Sequence, residues 1–337
     1  MPTPLLRIAA LLVVLLPGTA HAAAEDRLSR AVERGKQATV GILDSTPDAR
    51  QSGFEARFSL RGTGVHLRDG YILTVRHAVE RTEGGKTVLP KRIIILTQGH
   101  HELAATLVGG TGFLDLALYQ FEPPDAPLLV TTTVFAGGEA LPGQEVFTVG
   151  YPLGWGPVIA FGRMGNVNAF LPTVETRLLQ ATLPSCNGNS GGGLFNTDGE
   201  LVGIMHAVIK TELVQGEAGC SHLAFAVPGT LAKKIVEALV KGEQPGFARL
   251  GIQLTVVKVG SRWRTAAGKV SEPALAGGVQ KGDLLLAIDG KEIRDAAFLK
   301  NYLMEHAVPG QPVTLLVKRS DKELTLTVTA GRASDER

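Results

Sequence analysis

Residues 41–225 predict an all-β barrel or sandwich, and the rest of the chain predicts a separate, small α+β domain. Three observations carry this. Between Gly41 and Phe225, short β-prone runs are broken by glycine, Asp-Gly and proline turns, with no long helical period. A helix-spaced series, Leu231, Ile235, Val236, Leu239 and Val240, is then cut off by Gly242 and Pro245. Beyond it, Leu324, Leu326 and Val328 alternate with Thr325, Thr327 and Thr329, the period of a half-buried strand.

Taken in order, Val65–Leu67 and Tyr71–Val75 flank Arg68-Asp69-Gly70 and predict a hairpin. Leu194-Phe195 and Leu201–Met205 do the same around Thr197-Asp198-Gly199. The pairs Gly84-Gly85 and Gly109-Gly110 are expected to mark hairpin loops. Thr230 is placed to cap the helix before the linker, which is set at residues 241–248. In the second domain, residues 249–330, Leu284–Ile288 predict a buried strand closed by Asp289-Gly290. Asp295 is placed to cap a helix whose inner face carries Phe298, Leu299, Tyr302 and Leu303.

With 337 residues, 44% of them hydrophobic, the chain can bury cores for two domains. Its 34 lysines and arginines nearly balance 32 aspartates and glutamates, so charge gives no reason to propose nucleic acid as a partner. At the N-terminus, Arg7 precedes the apolar run Ile8–Leu16, a Pro17-Gly18 break and the series Ala20-His21-Ala22-Ala23-Ala24. This predicts a signal peptide over residues 1–24, cleaved after Ala22 or Ala24, with an uncleaved anchor as the alternative. No later run approaches the ~20 apolar residues of a spanning helix, so no stable membrane span is expected.

The stretch CNGNSGGGLFN, Cys186 to Asn196, sets one serine among small residues. A serine hydroxyl attacks a carbonyl only when a base takes its proton and amide donors await the oxyanion. Glycines let the backbone come close, so the amides of Gly188 and Ser190 are candidates for an oxyanion hole. A plain glycine-rich turn is the alternative. In GYILTVRHAVE, His77 follows a β-prone run. In GFLDLALYQF, Asp115 opens an apolar strand, where a carboxylate is costly unless it is paired, for example with an imidazole. The order His77, Asp115, Ser190 is that of the chymotrypsin-type triad. Taken singly, the histidine reads equally as a satisfied structural residue and the aspartate as a turn residue.

Together, the segments GTGVHLRDGYILTVRHAV, LDLALYQF, VGYPLG, LLQATLPSCNGNSGGGLFNTDGELVGI, LAFAVP and AGGVQKGDLLLAIDGKEI resemble the HtrA (Deg-type) secreted serine proteases. The resemblance implies a mostly β fold: a chymotrypsin-like double β-barrel over residues 25–240, followed by a small α+β PDZ domain over 249–330. It implies His77 as general base, Asp115 as its orienter, Ser190 as nucleophile, and Gly188 with Ser190 as oxyanion donors. Met205, His206 and Ala207 are implied to bind substrate. His206 stands where a small polar residue is usual, and Ala181-Thr182-Leu183 and Gly193 also depart from the pattern. Asn189 has no charge to offer a newly cut N-terminus, so activity is expected to depend on ordering of loops at Leu153–Phe170, Pro184–Asn189 and Ile209–His222.

Residues Arg249-Leu250-Gly251-Ile252 resemble the loop of bacterial PDZ domains that holds a peptide C-terminus while the peptide adds to a sheet edge. A domain serving only as an oligomer spacer is the alternative. Two cysteines in an exported chain are expected to join, which would tie Cys186, beside the serine, to Cys220; two buried free thiols are the alternative. Neither cysteine belongs to a zinc-ligand spacing, and no metal or organic cofactor is expected. The reading is an exported, periplasmic endopeptidase that cleaves unfolded or damaged proteins and assembles as a homotrimer. The rivals are a chaperone-like peptide-binding protein with little turnover and a narrow regulatory protease.

Overall fold

The computed structural model describes residues 17–43, 60–121, 131–170, 177–208 and 220–333, with side chains of the first helix from Glu25 onward, of the strand before residue 171 up to Ala169, and of the strand before residue 209 up to His206. The helix α1 (Pro17–Gln37) leads into a first barrel of β1 (Thr39–Leu43), β2 (Leu60–His66), β3 (Tyr71–Val75), β6 (Arg92–Leu96), β7 (Glu102–Thr111) and β8 (Leu116–Phe121). A small hairpin, β4 (Arg81–Glu83) and β5 (Lys86–Val88), stands apart from it. The barrel closes in the order β1-β2-β3-β8-β7-β6, with β6 paired to β1.

The second barrel comprises β9 (Glu145–Gly150), β10 (Val158–Met164), β11 (Ala169–Phe170), β12 (Arg177–Cys186), β13 (Gly193–Asn196), β14 (Leu201–Val208) and β15 (Cys220–Pro228). Its order is β10-β9-β13-β14-β15-β12-β11, and pairing of β10 with β12 closes it. The expected double barrel is therefore present.

Period-two alternation explains how the barrels pack on each other. On β8, Ala117, Tyr119 and Phe121 fill the first barrel, while Leu116 and Leu118 face the other way. The latter two join Leu73 and Val75 of β3 and Phe147, Val149, Phe195 and Ile204 of the second barrel in one inter-barrel core. The second barrel has its own interior of Met164, Leu179, Leu183, Leu194, Val202 and Met205. A strand buried on both faces reads as a continuous apolar run, which is why LALYQF carries a single exposed polar residue, Gln120.

Both predicted hairpins are present, β2–β3 and β13–β14, and Gly84-Gly85 turns between β4 and β5. Gly109-Gly110 does not make a loop. It lies inside β7, where the ladder to β8 shifts register between Leu107 and Gly109. A Cβ on Gly109 would stand 2.7 Å from Leu239 Cδ2, and one on Gly110 would stand 2.8 Å from Leu116 O. These glycines thus serve close packing within a strand. Helix α2 (Gly229–Val240) begins two residues earlier than a cap at Thr230 would set, with Pro228 in the cap position and no side-chain cap. Gly229 is pressed against Leu201 O and Val202 O, so the chain enters the helix there and Thr230 falls in its first turn.

The third unit has a sheet ordered β17 (Ile252–Val259), β18 (Arg262–Val270), β19 (Leu284–Ile288), β21 (Pro312–Arg319) and β22 (Lys322–Thr329). Strand β20 (Lys291–Glu292) pairs with β19, and β16 (Phe247–Arg249) pairs with β23 (Gly331–Ala333). Helix α3 (Ala296–Glu305) starts as expected: Asp295 accepts a hydrogen bond from Phe298 N at 2.7 Å.

Helix α3 also fastens this unit to the second barrel. Arg177, whose side chain is 5% exposed, forms a two-pronged ion pair with Glu305, its Nη2 donating at 3.0 Å, while Arg177 N donates to Asn301 Oδ1 at 2.6 Å. Lys234 Nζ on α2 donates to Met304 O at 3.1 Å. Removing one partner of a buried pair strands the other charge, so Arg177→Ala is expected to cost about 3–5 kcal/mol. Urea unfolding of the two proteins measures it, and a difference below about 1 kcal/mol would place this pair with solvent-screened ones.

Candidate active site

Asp115 occupies the turn just before β8, between Leu114 and Leu116, which are both fully buried. Its φ of +53° lies in the left-handed region that aspartate tolerates better than most residues. From there it clamps the single turn Arg76–Ala78 that follows β3. Arg76 N donates to Asp115 O at 2.8 Å, His77 N donates to Oδ1 at 2.9 Å, and His77 Nδ1 donates to Oδ2. The imidazole of His77 stays 41% exposed, open to solvent.

A second imidazole reaches the same carboxylate. His206 Nε2 lies 3.2 Å from Asp115 Oδ2, with the ring edge-on to His77 at 5.7 Å between centroids. Burial by itself pushes the Asp115 carboxyl up, but the hydrogen bonds from His206 and His77 outweigh it and hold the group well below the usual carboxylate range.

The serine segment is held carbonyl by carbonyl. Asn187 O accepts from Leu153 N at 2.7 Å, Gly188 O from Thr63 Oγ1 at 2.6 Å, Asn189 O from Gly192 N at 3.0 Å, and Ser190 O from Thr63 N at 2.9 Å. The amides of Asn189, Gly191 and Gly192 donate to Cys186 O, Met205 O and Asn189 O. Gly191, at φ +87°, could not be any other residue: a Cβ would stand 2.1 Å from Thr63 O and 2.2 Å from Thr74 Oγ1. Gly62 joins the two halves. A Cβ there would lie 2.7 Å from Ala78 Cβ and 3.1 Å from Ser190 O, so the histidine's turn and the serine's peptide both approach one glycine.

Thr63 is the residue that sequence reasoning missed. Fully buried on β2, it also accepts from Tyr151 N at 3.0 Å through its hydroxyl and from Thr74 Oγ1 at 2.7 Å through its carbonyl. The signal for it was a hydroxyl residue between Gly62 and Gly64, legible only as a place of close approach. Asn189 is buried and neutral, its amide donating to Ser185 Oγ at 3.2 Å.

Cys186 and Cys220 form a disulfide spanning 34 residues, and they face each other where the β12–β15 ladder reaches the serine segment. The alternative of two free thiols is thereby removed. Of the residues expected to bind substrate, Met205 gives its side chain to the second barrel's interior and meets the serine segment only through its backbone. His206 is turned to Asp115. The side chain of Ala207 and residues 209–219 of the expected third loop lie outside the described residues. In the third unit, Leu250 is buried and Gly251, at φ +77°, packs on Glu272 O. Gly251 O accepts from Ser271 N at 2.8 Å, which fixes the Arg249–Ile252 loop at the head of the edge strand β17. Among the described residues no group of three or more potential metal ligands is gathered, and no helix is long and apolar enough to cross a membrane.

Two outcomes follow from this geometry. Thr63→Val leaves Gly188 O and Tyr151 N without their hydroxyl and is expected to lower stability by about 1–3 kcal/mol, most of which Thr63→Ser should restore. An unchanged urea midpoint in the valine variant would show that the bridge contributes nothing. Because folding depresses the Asp115 pKa, its contribution to stability is complete above the unfolded value of about 3.9 and is lost as pH falls toward the folded one. The stability deficit of Asp115→Asn should therefore be largest near neutrality and shrink below about pH 4; thermal melts that show a constant deficit would contradict this.

A trypsin-like peptidase domain model matches residues 62–204 and a PDZ domain model matches residues 248–330. A Halomonas elongata protein named "Probable periplasmic serine endoprotease DegP-like" is 28% identical over 299 residues, covering 85% of this chain and 59% of that protein. The serine endoprotease DegS of Salmonella typhimurium is 28% identical over 315 residues, covering 89% of this chain and 84% of that one. The chain thus spans little more than half the length of the DegP-like relative. In fold it is similar to a solved HtrA-type protease, AlgW with a tripeptide, at a TM-score of 0.71 and 22% identity, covering 91% of this chain and 97% of that one. The chain belongs to the HtrA/DegP family of trypsin-like proteases that carry a PDZ domain.

Proposed function

We propose that this protein is a serine endopeptidase that cleaves unfolded or damaged exported proteins through an acyl-enzyme. The observation that carries the reading is the double hold of Asp115 on His77, through backbone and ring, on a turn that shares Gly62 with the peptide of Ser190. His77 Nε2 takes the Ser190 proton as Oγ attacks the scissile carbonyl, and then returns it to the leaving amine. Asp115 keeps the ring in the tautomer that leaves Nε2 free to accept. The oxyanion is received by the amides of Gly188 and Ser190. Two features support this role. Leu153 N holds Asn187 O, which turns the Gly188 N–H of that trans peptide the opposite way, and the neighbouring amides of Asn189, Gly191 and Gly192 are already engaged.

The Arg249–Ile252 loop beside an edge strand fits the capture of a peptide C-terminus, with the peptide extending along β17. Location in the periplasm is supported by the names of the DegP-like relatives. Assembly into a trimer rests on the likeness to HtrA-type proteases.

The test is hydrolysis of casein together with fluorophosphonate labelling. The wild type should digest casein and take the label on Ser190. Ser190→Ala should take none, and it and Asp115→Asn should lose at least about 10⁴-fold in kcat. Equal casein rates for wild type and Ser190→Ala would remove the endopeptidase reading. Suppression of aggregation without any turnover would favour the chaperone-like alternative instead.

A further inference from the structure

Asp115 Oδ2 is the meeting point of two imidazoles, and the second of them is not needed by the reaction as described above. His206 follows Met205 on β14 at a register shift: Met205 pairs with Ala226 and Ala207 with Phe225, so His206 is the extra residue of a β-bulge with no partner of its own on β15. Alternation puts it on the side of Ile204, which faces the inter-barrel core, and there its ring reaches Asp115. An ionised carboxylate can only accept, so His206 must carry its proton on Nε2, just as His77 must carry one on Nδ1. His206 Nδ1 is buried and has no hydrogen-bond partner among the described residues. The ring therefore meets the site through Nε2 alone.

Resting on the function proposed above, we infer that His206 is a positioning residue for the hydrolytic reaction, acting through Asp115. With His77 N on Oδ1 and two ring N–H groups on Oδ2, the carboxylate cannot rotate away from the plane in which it orients His77. The second donor also takes up part of the negative charge on Oδ2 and so moderates the pull of Asp115 on the His77 proton. Among the described residues, the titratable groups that face His206 are Asp115 and His77. Arg76, whose amide binds Asp115 O, turns its guanidinium to Glu80 at 3.0 Å.

Two variants separate positioning from packing. His206→Leu fills the space without a donor. His206→Gln keeps a side-chain N–H within similar reach but cannot titrate. For His206→Leu the expectation is a fall in kcat of about 10- to 100-fold with KM changed less than about twofold, and an acid limb of the pH–kcat/KM profile displaced to higher pH. His206→Gln should recover most of the lost kcat. If the leucine variant does not fold, the low-field resonance of the His77–Asp115 proton decides: it should persist in His206→Gln as in wild type, and its loss would overturn the inference. The inference also falls if His206→Leu keeps the wild-type kcat and acid limb, if His206→Gln is no better than His206→Leu, or if the loss is confined to KM. A wild-type protein that neither turns over casein nor takes the fluorophosphonate would remove both this inference and the function it rests on. An active wild type with an indifferent His206→Leu would remove this one alone.

Discussion

A carboxylate set between two fully buried leucines is the constraint around which the candidate site is arranged. Asp115 would be driven to its neutral form by that environment, and it stays ionised only because three donors converge on it: His77 through backbone and ring, and His206 through its ring. These donors come from two distant places in the chain. The turn after β3 brings His77, the bulge on β14 brings His206, and the left-handed backbone of Asp115 aims the carboxylate at both. Burial therefore does two things at once here: it makes the aspartate need partners, and it gives those contacts the low-dielectric setting in which they orient a ring.

The other half of the site is organised by backbone. The serine run has almost no side chain to pack, so its conformation is set by where its carbonyls are bound, and Thr63 binds two of them. Because β2 also carries Gly62, the strand that holds the serine segment is the one against which the histidine's turn rests. The disulfide adds a covalent stop where the β12–β15 ladder reaches the same run. The uncharged Asn189, satisfied by Ser185, fits a segment whose order comes from its neighbours and not from a buried ion pair.

The third unit is connected to this arrangement through one strand. β12 starts at Arg177, which is locked to Glu305 and Asn301 of α3, and ends at Cys186, four residues from Ser190. Met304 of α3 enters the inter-barrel core itself. The two ends of a single strand are therefore tied to the PDZ unit and to the serine segment.

Through its resemblance to the HtrA family the sequence implied the double barrel and the candidates His77, Asp115 and Ser190; by itself it determined the all-β character of the first part, the hairpins at Asp69-Gly70 and Asp198-Gly199, the cap at Asp295 and the separate third unit. These are local signals, such as turn chemistry, alternation and small residues around a hydroxyl, and they survive because neighbours in sequence generate them. Gly109-Gly110 and Thr230 misled for the opposite reason. A glycine pair reads as a turn until the packing of Leu239 and Leu116 against it is known, and a capping threonine loses its place when Gly229 is pressed onto Leu201. What only the tertiary structure decided were the contacts between residues far apart in the chain: Thr63 with the serine segment, Arg177 with Glu305, and above all His206 with Asp115. A hydrogen bond depends on where two groups meet in space, and for such pairs folding of the whole chain sets that meeting point.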